Sequence, residues 1–374
     1  MDSSAPGPPP SDLEREWLLR AVDLARRGWG RVRPNPMVGC VLVRDGVVVG
    51  EGWHEEFGEP HAEVNALAAA GGMAVGATAY VTLEPCNHYG KTPPCTDALL
   101  DSGVSRVVFG AADPSAGAAG GRHRLSVAGV QISGPSSDPA LGRDVDPAFF
   151  HTTERHRVYV AVKLAVSQDG CISAGVGQRT ALTGEEANRE VHHLRSGFDA
   201  ILVGVETAGV DDPLLTVRHG IQPRVAPTRV VVDSTCRLSP EARLLQTIDQ
   251  APVLVLVTPA APPDWARALE GAGARVVIVP DNDGRVHLDL ALASCWELGL
   301  TSVLCEGGGR LASAFIREGL VQRLYLVEAP IALGNQGVPA FPDAPGTPDG
   351  PNWRLVGAPR PLGEDVLLTY DREA

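Results

Sequence analysis

The chain predicts an α/β architecture in two domains, and three features carry that expectation. Short apolar runs rich in β-branched residues, at positions 38–43, 79–83, 158–166 and 253–257, alternate with stretches of helical spacing. A length of 374 residues is enough to build two separate cores. Between Ala111 and Pro147 the composition loosens, with residues 117–121 nearly all Gly and Ala, which marks a connection near positions 147–156. The expected division is a disordered tail over residues 1–12, a first domain over 13–150 and a second over 151–374.

In the first half, residues 14–27 place Trp17, Leu18, Ala21, Val22 and Ala25 at helical spacing, with Gly28 as the stop. Residues 38–50 form a hairpin with its turn at Asp45-Gly46. An Ala-rich helix spans 61–70, a strand over 79–83 leads to Cys86, Pro94 opens a helix running to Leu100, and a strand follows over 105–110. The half reads as a sheet with helices on its faces. In the second half, strands are expected at 158–166, 200–203, 229–232, 253–257, 275–279 and 302–305. Helices fall between them, including 185–195 and 310–317. That alternation implies a mostly parallel sheet covered on both sides. No internal repeat is evident.

Composition narrows the function class. Hydrophobic residues make up 44% of the chain without an apolar run of membrane-spanning length, so a soluble protein with no membrane partner is expected. The first eleven residues are Ser/Pro-rich with neither a basic nor an apolar region, which reads as a tail and not a signal peptide. Seven cysteines, an odd number in a large chain, fit a cytoplasmic enzyme with reduced thiols. A net charge of −13, from 32 basic and 45 acidic side chains, argues against a nucleic-acid partner. It leaves room for a small phosphorylated substrate held by local cations.

Two segments carry recognisable chemistry. His61-Ala62-Glu63 and Pro85-Cys86, with Cys95 nine positions on, supply one imidazole, two thiols and one spare carboxylate. Three N/S ligands, His61, Cys86 and Cys95, suit a catalytic Zn²⁺, which keeps its fourth position for a water that the metal activates. Glu63 then reads as the proton carrier. This is the pattern of zinc nucleobase deaminases, except that eight residues separate the two cysteines here and two do in the usual pattern. A longer loop still closes on one metal, because closure entropy grows slowly with length. The bland alternative is two buried unligated thiols and a surface imidazole. Cys40, Cys171, Cys236, Cys295 and Cys305 read as small core residues.

In the second half, Gly307-Gly308-Gly309 after a strand and before a helix makes a candidate anion site. Asp199 to Gly204 reaches Thr207, Asp211-Asp212-Pro213 precedes residues 214–218, Arg195 ends a helix, and Ser234 with Arg237 follows a strand. Taken singly, each is also compatible with an ordinary turn or a solvated side chain.

Together these residues resemble the bifunctional deaminase/reductase family of riboflavin biosynthesis. The resembling segments run from Pro34-Asn35-Pro36-Met37-Val38-Gly39 to Leu333-Gly334. They include Gly90-Lys91-Thr92-Pro93-Pro94, Lys163-Leu164 through Asp169-Gly170, residues 192–195, Asp211 through Arg218, and Glu306-Gly307-Gly308. The resemblance implies a cytidine-deaminase-like α/β domain followed by a dihydrofolate-reductase-like α/β domain. It implies hydrolytic deamination of a diamino-ribosylamino-pyrimidinone 5′-phosphate, then NADPH-dependent reduction of the ribosyl chain to ribityl. By the same likeness Asn35, His88 and Lys91 contact the deaminase substrate, and Arg195, Leu215, Arg218 and Glu306 the reductase substrate. Ala165, Thr207, Asp211, Ser234 and Gly308 contact NADPH. A homo-oligomer is also implied. The chain departs from the family at Ala181, where a Trp is usual, at Arg179, where a small polar residue is usual, and at Ser115-Ala116-Gly117, where Asn-Pro is expected after Asp113-Pro114. Alternatives kept open are a deaminase with a degenerate reductase half and a non-catalytic, zinc-stabilised binding protein.

Overall fold

A computed structural model of the chain describes residues 10–373. It divides into two compact units, one ending at His156 and the other beginning at Arg157. In the first unit, Ser11 caps helix α1 (Asp12–Ala25): its hydroxyl accepts the Glu14 N–H at 3.4 Å while the Glu14 carboxylate accepts the Ser11 N–H at 2.8 Å. That reciprocal cap takes Ser11 and Asp12 out of the expected tail. Residues 1–9 of the tail lie outside the described part of the chain.

Strands β1 (Gly39–Arg44), β2 (Val47–Trp53), β3 (Thr78–Leu83), β4 (Arg106–Ala111) and β5 (Gln131–Ser133) form one sheet in the order β2-β1-β3-β4-β5. β1 runs antiparallel to β2 and β3, whereas β3, β4 and β5 are parallel. Alternation along β1 sends Cys40 and Leu42 to a core under helices α2 (Ala62–Ala70) and α3 (Cys95–Asp101), and Val41 and Val43 to a core under α1. The loosened stretch contains elements that the composition hides: helix α4 (Gly121–Val127), β5, and helix α5 (Pro147–Arg155), which closes the unit. Gly121 is there for packing, because a Cβ on it would lie 1.8 Å from the Pro85 carbonyl oxygen. What reads as a flexible linker is a close approach of backbone to the cysteine loop.

Helix α2 rests on β2 with similar intimacy. A Cβ at Gly52 would lie 2.4 Å from the Ala66 nitrogen and 2.5 Å from the Ala62 carbonyl oxygen. His61 is the N-cap of this helix and Glu63 lies in its first turn, so bare backbone contact sets their height above the sheet.

In the second unit, nine hydrogen-bonded strands run in one path. Its main members are β6 (Tyr159–Ser167), β7 (Ala200–Gly204), β8 (Thr228–Asp233), β9 (Val253–Val257), β10 (Arg275–Ile278), β11 (Ser302–Cys305), β12 (Arg323–Ala329) and β13 (Asp365–Arg372), in the spatial order β10-β9-β8-β7-β11-β6-β12-β13. All pairs are parallel as far as β12, and β13 closes antiparallel. Helix α6 (Glu185–Ser196), α7 (Val205–Asp211), α8 (Arg243–Gln246), α9 (Pro263–Gly271), α10 (Leu288–Glu297) and α11 (Gly309–Arg317) connect the strands. Two cores result, one holding Leu202, Val230 and Leu254, the other Ile201, Val231 and Val255, again by alternation. The apolar pattern gives no strand beyond residue 305, and β12 and β13 add two there.

A carboxylate and a guanidinium each tie separate segments of the second unit together. The Asp169 carboxylate accepts the Ser167 hydroxyl at 2.5 Å and the amides of Leu333 and Gly334 at 3.1 and 2.7 Å, which hold its carboxyl down at about 2. Arg229 on β8 is fully buried with no carboxylate among its hydrogen-bond partners. Its guanidinium donates to the Leu214 carbonyl at 3.1 Å, the Thr247 hydroxyl at 2.7 Å, the Thr247 carbonyl at 2.9 Å and the Ala251 carbonyl. Burial pulls it down to about 10.

Gly52→Ala forces a methyl into the helix backbone. It is expected to cost about 1–3 kcal/mol in denaturant unfolding, the range for overpacking a tight contact. Gly72→Ala, with nothing within 4 Å of its Cβ, is the control expected to stay near zero.

Candidate active sites

In the first unit, one imidazole and two thiols meet. The ligand atoms of His61, Cys86 and Cys95 all lie within 4.8 Å of one another. His61 Nδ1 is 3.3 Å from Cys95 Sγ and 3.6 Å from Cys86 Sγ. His61 Nε2 lies 3.4 Å from the Thr92 hydroxyl, so Thr92 is placed to orient the imidazole by accepting its Nε2–H, leaving Nδ1 for a metal. Each donor arrives by a local rule. His61 stands at the start of α2, β3 feeds the loop that carries Cys86, and Cys95 is the first residue of α3. The Cys95 N–H donates to Cys86 Sγ at 3.3 Å, a helix-end amide aimed at a thiolate. The two thiols share a proton: Cys86 is drawn down by the hydrogen bond from Cys95, and Cys95 is pushed up in turn. A compact N/S/S donor set of this kind fits zinc with one coordination position left over.

Glu63 is 3% exposed and follows the imidazole by two residues. Burial first, then the charge on Cys86, pushes its carboxyl up to about 7. Asn35, His88 and Lys91 line the same cavity of about 400 Å³, together with His61, Glu63 and Cys86. Lys91 Nζ sits 4.0 Å from the centre of the Phe57 ring, and Phe57 and Phe149 supply apolar wall.

The cavity also contains residues the sequence reading did not single out. His54, buried at the end of β2, donates or accepts at Nδ1 with the Pro60 carbonyl oxygen at 3.2 Å. Because a carbonyl only accepts, Nδ1 carries the proton. Nε2 is then an acceptor for the Asn35 amide N–H at 3.1 Å, which turns the Asn35 carbonyl oxygen away from His54. Asp113 lines the cavity as well, its carboxyl raised by burial. A lone His after a strand and an Asp-Pro turn are common in any sequence. Only the meeting of β2 and β4 with the 86–95 loop gives them a setting.

The second unit holds a cavity of about 380 Å³. It is lined by Lys163, Arg179, His192, Arg195, Thr207, Asp211, Leu215, Arg218, Arg243 and Glu306 among others. Arg195, Leu215, Arg218 and Glu306, expected to hold substrate, therefore share one wall system. Arg195 and Glu306 form a fork-to-fork ion pair at 2.6 and 2.9 Å, each side chain 11% exposed, with Arg195 also donating to the Thr216 carbonyl at 3.1 Å. Burial raises Glu306, but the Arg195 charge outweighs it and leaves the carboxyl below its ordinary range. Much of the Arg195 guanidinium is thus committed to protein partners.

Of the residues expected to hold NADPH, Thr207 and Asp211 line this cavity, and the Gly308 N–H donates to the Thr207 hydroxyl at 3.0 Å. Ala165 lies on β6 on the same face as Lys163 but outside the lining. Ser234 also lies outside it, at the end of β8, with its hydroxyl accepting the Val286 N–H at 2.9 Å. Thr207 and the bare Gly308 backbone make a polar cradle beside a cationic wall, a setting whose chemistry suits an anionic dinucleotide. Asp212, Leu215 and His219 all adopt positive φ, at 37°, 51° and 61°, so this loop is held in an uncommon shape. Lys163, Arg179 and Arg243 are further cations in the wall. Lys163 and Arg179 were noted in the sequence only as a resembling segment and a departure, and Arg243 carried no local signal.

Comparison with known proteins matches residues 158–368 to the family described as the RibD C-terminal domain, and residues 11–111 to the cytidine and deoxycytidylate deaminase zinc-binding region. The riboflavin biosynthesis protein RibD of Escherichia coli K12 is 36% identical over 367 residues, covering 94% of this chain and 97% of that one. Its counterpart in Aquifex aeolicus is 36% identical over 325 residues, covering 86% and 88%. Among solved structures, Acinetobacter baumannii RibD superposes with a TM-score of 0.80 at 33% identity, covering 97% and 99% of the two chains. A Thermotoga maritima protein described as a diaminohydroxyphosphoribosylaminopyrimidine deaminase/5-amino-6-(5-phosphoribosylamino)uracil reductase gives 0.79 at 29% identity, covering 96% and 99%.

Two outcomes follow from the geometry. Elemental analysis of the purified chain is expected to find one zinc per chain, and Cys86→Ser or His61→Ala to lose it. Glu306→Ala strands the buried Arg195 charge and is expected to cost about 3–5 kcal/mol in unfolding free energy at neutral pH. The wild-type contribution is present above the ordinary carboxyl value of 4.5 and lost as pH falls through the lower folded value. The gap between the two chains is therefore expected to shrink in acid.

Proposed function

We propose how the chain works from one premise: it belongs to the RibD family, the bifunctional deaminases and reductases of riboflavin biosynthesis. It is an enzyme with a zinc-binding deaminase half and a reductase half of the NADPH-dependent kind. The finer reading is ours. The first site takes 2,5-diamino-6-ribosylamino-4(3H)-pyrimidinone 5′-phosphate and replaces its 2-amino group with oxygen. The second reduces the ribosyl side chain of the product to ribityl. The cytoplasm is the setting that fits seven free cysteines, and a homo-oligomer is part of the same reading.

In the deaminase, His61, Cys86 and Cys95 hold the zinc, which when bound makes water nucleophilic at neutral pH. Asn35, His88 and Lys91 hold the pyrimidine, with the Asn35 carbonyl oxygen, turned away from His54, free to accept a substrate N–H. Phe57 and Phe149 exclude bulk water from one side. Glu63 takes the proton of the attacking water at a carboxylate oxygen, delivers it to a ring nitrogen, and carries the second proton to the departing ammonia. Burial, the largest cause acting on this carboxyl, raises it above its ordinary range and so makes it a better proton acceptor. Overall one C–N bond breaks, one C=O bond forms and one water is consumed.

In the reductase, NADPH supplies the hydride and the protein supplies orientation. Thr207, Asp211 and the Gly308 turn hold the cofactor, with Ala165 and Ser234 at the margins of that set. Arg195, Leu215, Arg218 and Glu306 hold the sugar phosphate. Hydride arrives at C1′ as its bond to the ring oxygen breaks, so a proton must reach that oxygen. Lys163 lines the cavity, and burial draws its ammonium toward easier release, which makes it the group best suited to give that proton.

The observation that carries the deaminase reading is a three-donor N/S/S cluster, two of whose members, His61 and Cys86, line one cavity with a buried carboxylate. Glu63→Gln keeps the shape and removes the proton carrier. The variant is expected to retain zinc while ammonia release falls by about 10²–10⁴-fold. NADPH oxidation by the same variant, supplied with the deaminated intermediate, is expected to continue at the wild-type rate. Unchanged ammonia release defeats the role given to Glu63.

A further inference from the structure

We propose that Arg243 is a ligand-binding residue of the second site, where it joins Arg218 to seat a phosphate monoester. The proposal rests on the reductase reading of that cavity. Five cations line it, Lys163, Arg179, Arg195, Arg218 and Arg243, against two carboxylates, Asp211 and Glu306. This is a concentration of positive charge in a chain whose net charge is −13. Glu306 is committed to Arg195 by two hydrogen bonds. Asp211 is the carboxylate that feels the Arg179 charge. Arg218 and Arg243 make no ion pair with a carboxylate side chain among the described residues, and burial and then the like charges of Arg195 and Arg243 draw the Arg218 guanidinium down.

Both side chains are exposed at the cavity wall, and each backbone is held by its own partners. The Arg243 N–H donates to the Asp212 carboxylate at 2.9 Å, and its guanidinium lies 3.4 Å from the Asp212 carbonyl oxygen. The buried Arg229 guanidinium holds the Leu214 carbonyl and the Thr247 hydroxyl at once, and that hydroxyl donates to the Arg243 carbonyl at 3.0 Å. On the other side, the Arg218 N–H donates to His192 Nδ1 at 3.0 Å and the Arg218 guanidinium to the Thr216 hydroxyl at 3.0 Å. Because His192 accepts at Nδ1, it is neutral there and leaves the seat to the two arginines. Two forks in the wall of one cavity match the charge and the several acceptor oxygens of a dianionic phosphate monoester. The 5′-phosphate of the pyrimidine and the 2′-phosphate of NADPH share that chemistry.

The test uses the full chain and Arg243→Gln, with Arg267→Gln, an exposed arginine of α9, as control. Steady-state NADPH oxidation gives one arm. KM for the deaminated substrate, compared with its dephosphorylated form, reads the first phosphate; KM for NADPH, compared with NADH, reads the second. Arg243→Gln is expected to raise KM for one phosphorylated ligand by about tenfold or more, leave kcat near wild type and erase the preference over the ligand lacking that phosphate. Arg243→Lys is expected to recover part of the loss. The second arm needs no turnover: calorimetry with ribose 5-phosphate and with adenosine 2′-phosphate is expected to show about tenfold weaker binding of one of them by Arg243→Gln alone. Equal binding of both probes by wild type and variant overturns the seat. So does an equal loss on phosphorylated and dephosphorylated ligands. A wild-type chain that oxidises no NADPH yet binds a probe through Arg243 defeats the reductase reading and leaves the seat standing.

Discussion

A parallel strand delivers the loop that follows it to one edge of its sheet, and the chemistry of both units gathers at that edge. In the first unit β3 leads to Cys86 and β4 to Asp113. In the second, β7 leads to Thr207 and β11 to Glu306. Helices that start at the same edge add their own first residues, His61 and Glu63 on α2, Cys95 on α3 and the Gly308 amide at α11. The direction of the strands is thus the constraint under which the rest is arranged. It explains how groups separated by tens or hundreds of residues share a cavity without any long loop reaching across the sheet.

The two cavities solve opposite electrostatic problems. The first removes water from one carboxylate until it holds a proton near neutrality, and does so with apolar walls and a neighbouring thiolate. The second keeps five cations together in an acidic protein, and needs Glu306 as a buried counter-charge. Arg229 shows a third solution. It is a fully buried guanidinium whose two terminal nitrogens donate to carbonyl and hydroxyl oxygens while Nε has no partner, and it acts as a fastener between two segments of backbone.

How much of this was readable beforehand depends on the range of each signal. His61, Glu63, Cys86 and Cys95 were accessible because their chemistry is written in two short segments. The strands β1, β3 and β4 of the first sheet and β6 to β11 of the second showed as apolar runs for the same reason. Helix α4 and β5 were hidden because Gly117 to Gly121 has the composition of a linker, whereas Gly121 is small to admit the Pro85 carbonyl. His54 and Arg243 were hidden for a different reason. Each is unremarkable among its sequence neighbours and acquires a role only when folding sets it against Asn35 or Arg218. Ser234 shows the same limit of range: the sequence places a serine at a strand end, and only the fold brings the Val286 amide to its hydroxyl oxygen.

Asp212, Leu215 and His219 spend conformational energy, on the order of 1–3 kcal/mol apiece, to stand in the left-handed region. That expense falls on folding and is met once, when Arg229 clamps Leu214 and the sheet forms around it. An incoming ligand then meets a loop already in its final shape and surrenders little of its contact energy to ordering the protein. At such a wall the backbone is fixed by the fold, and the exposed guanidiniums of Arg218 and Arg243 are what a ligand's charges must match.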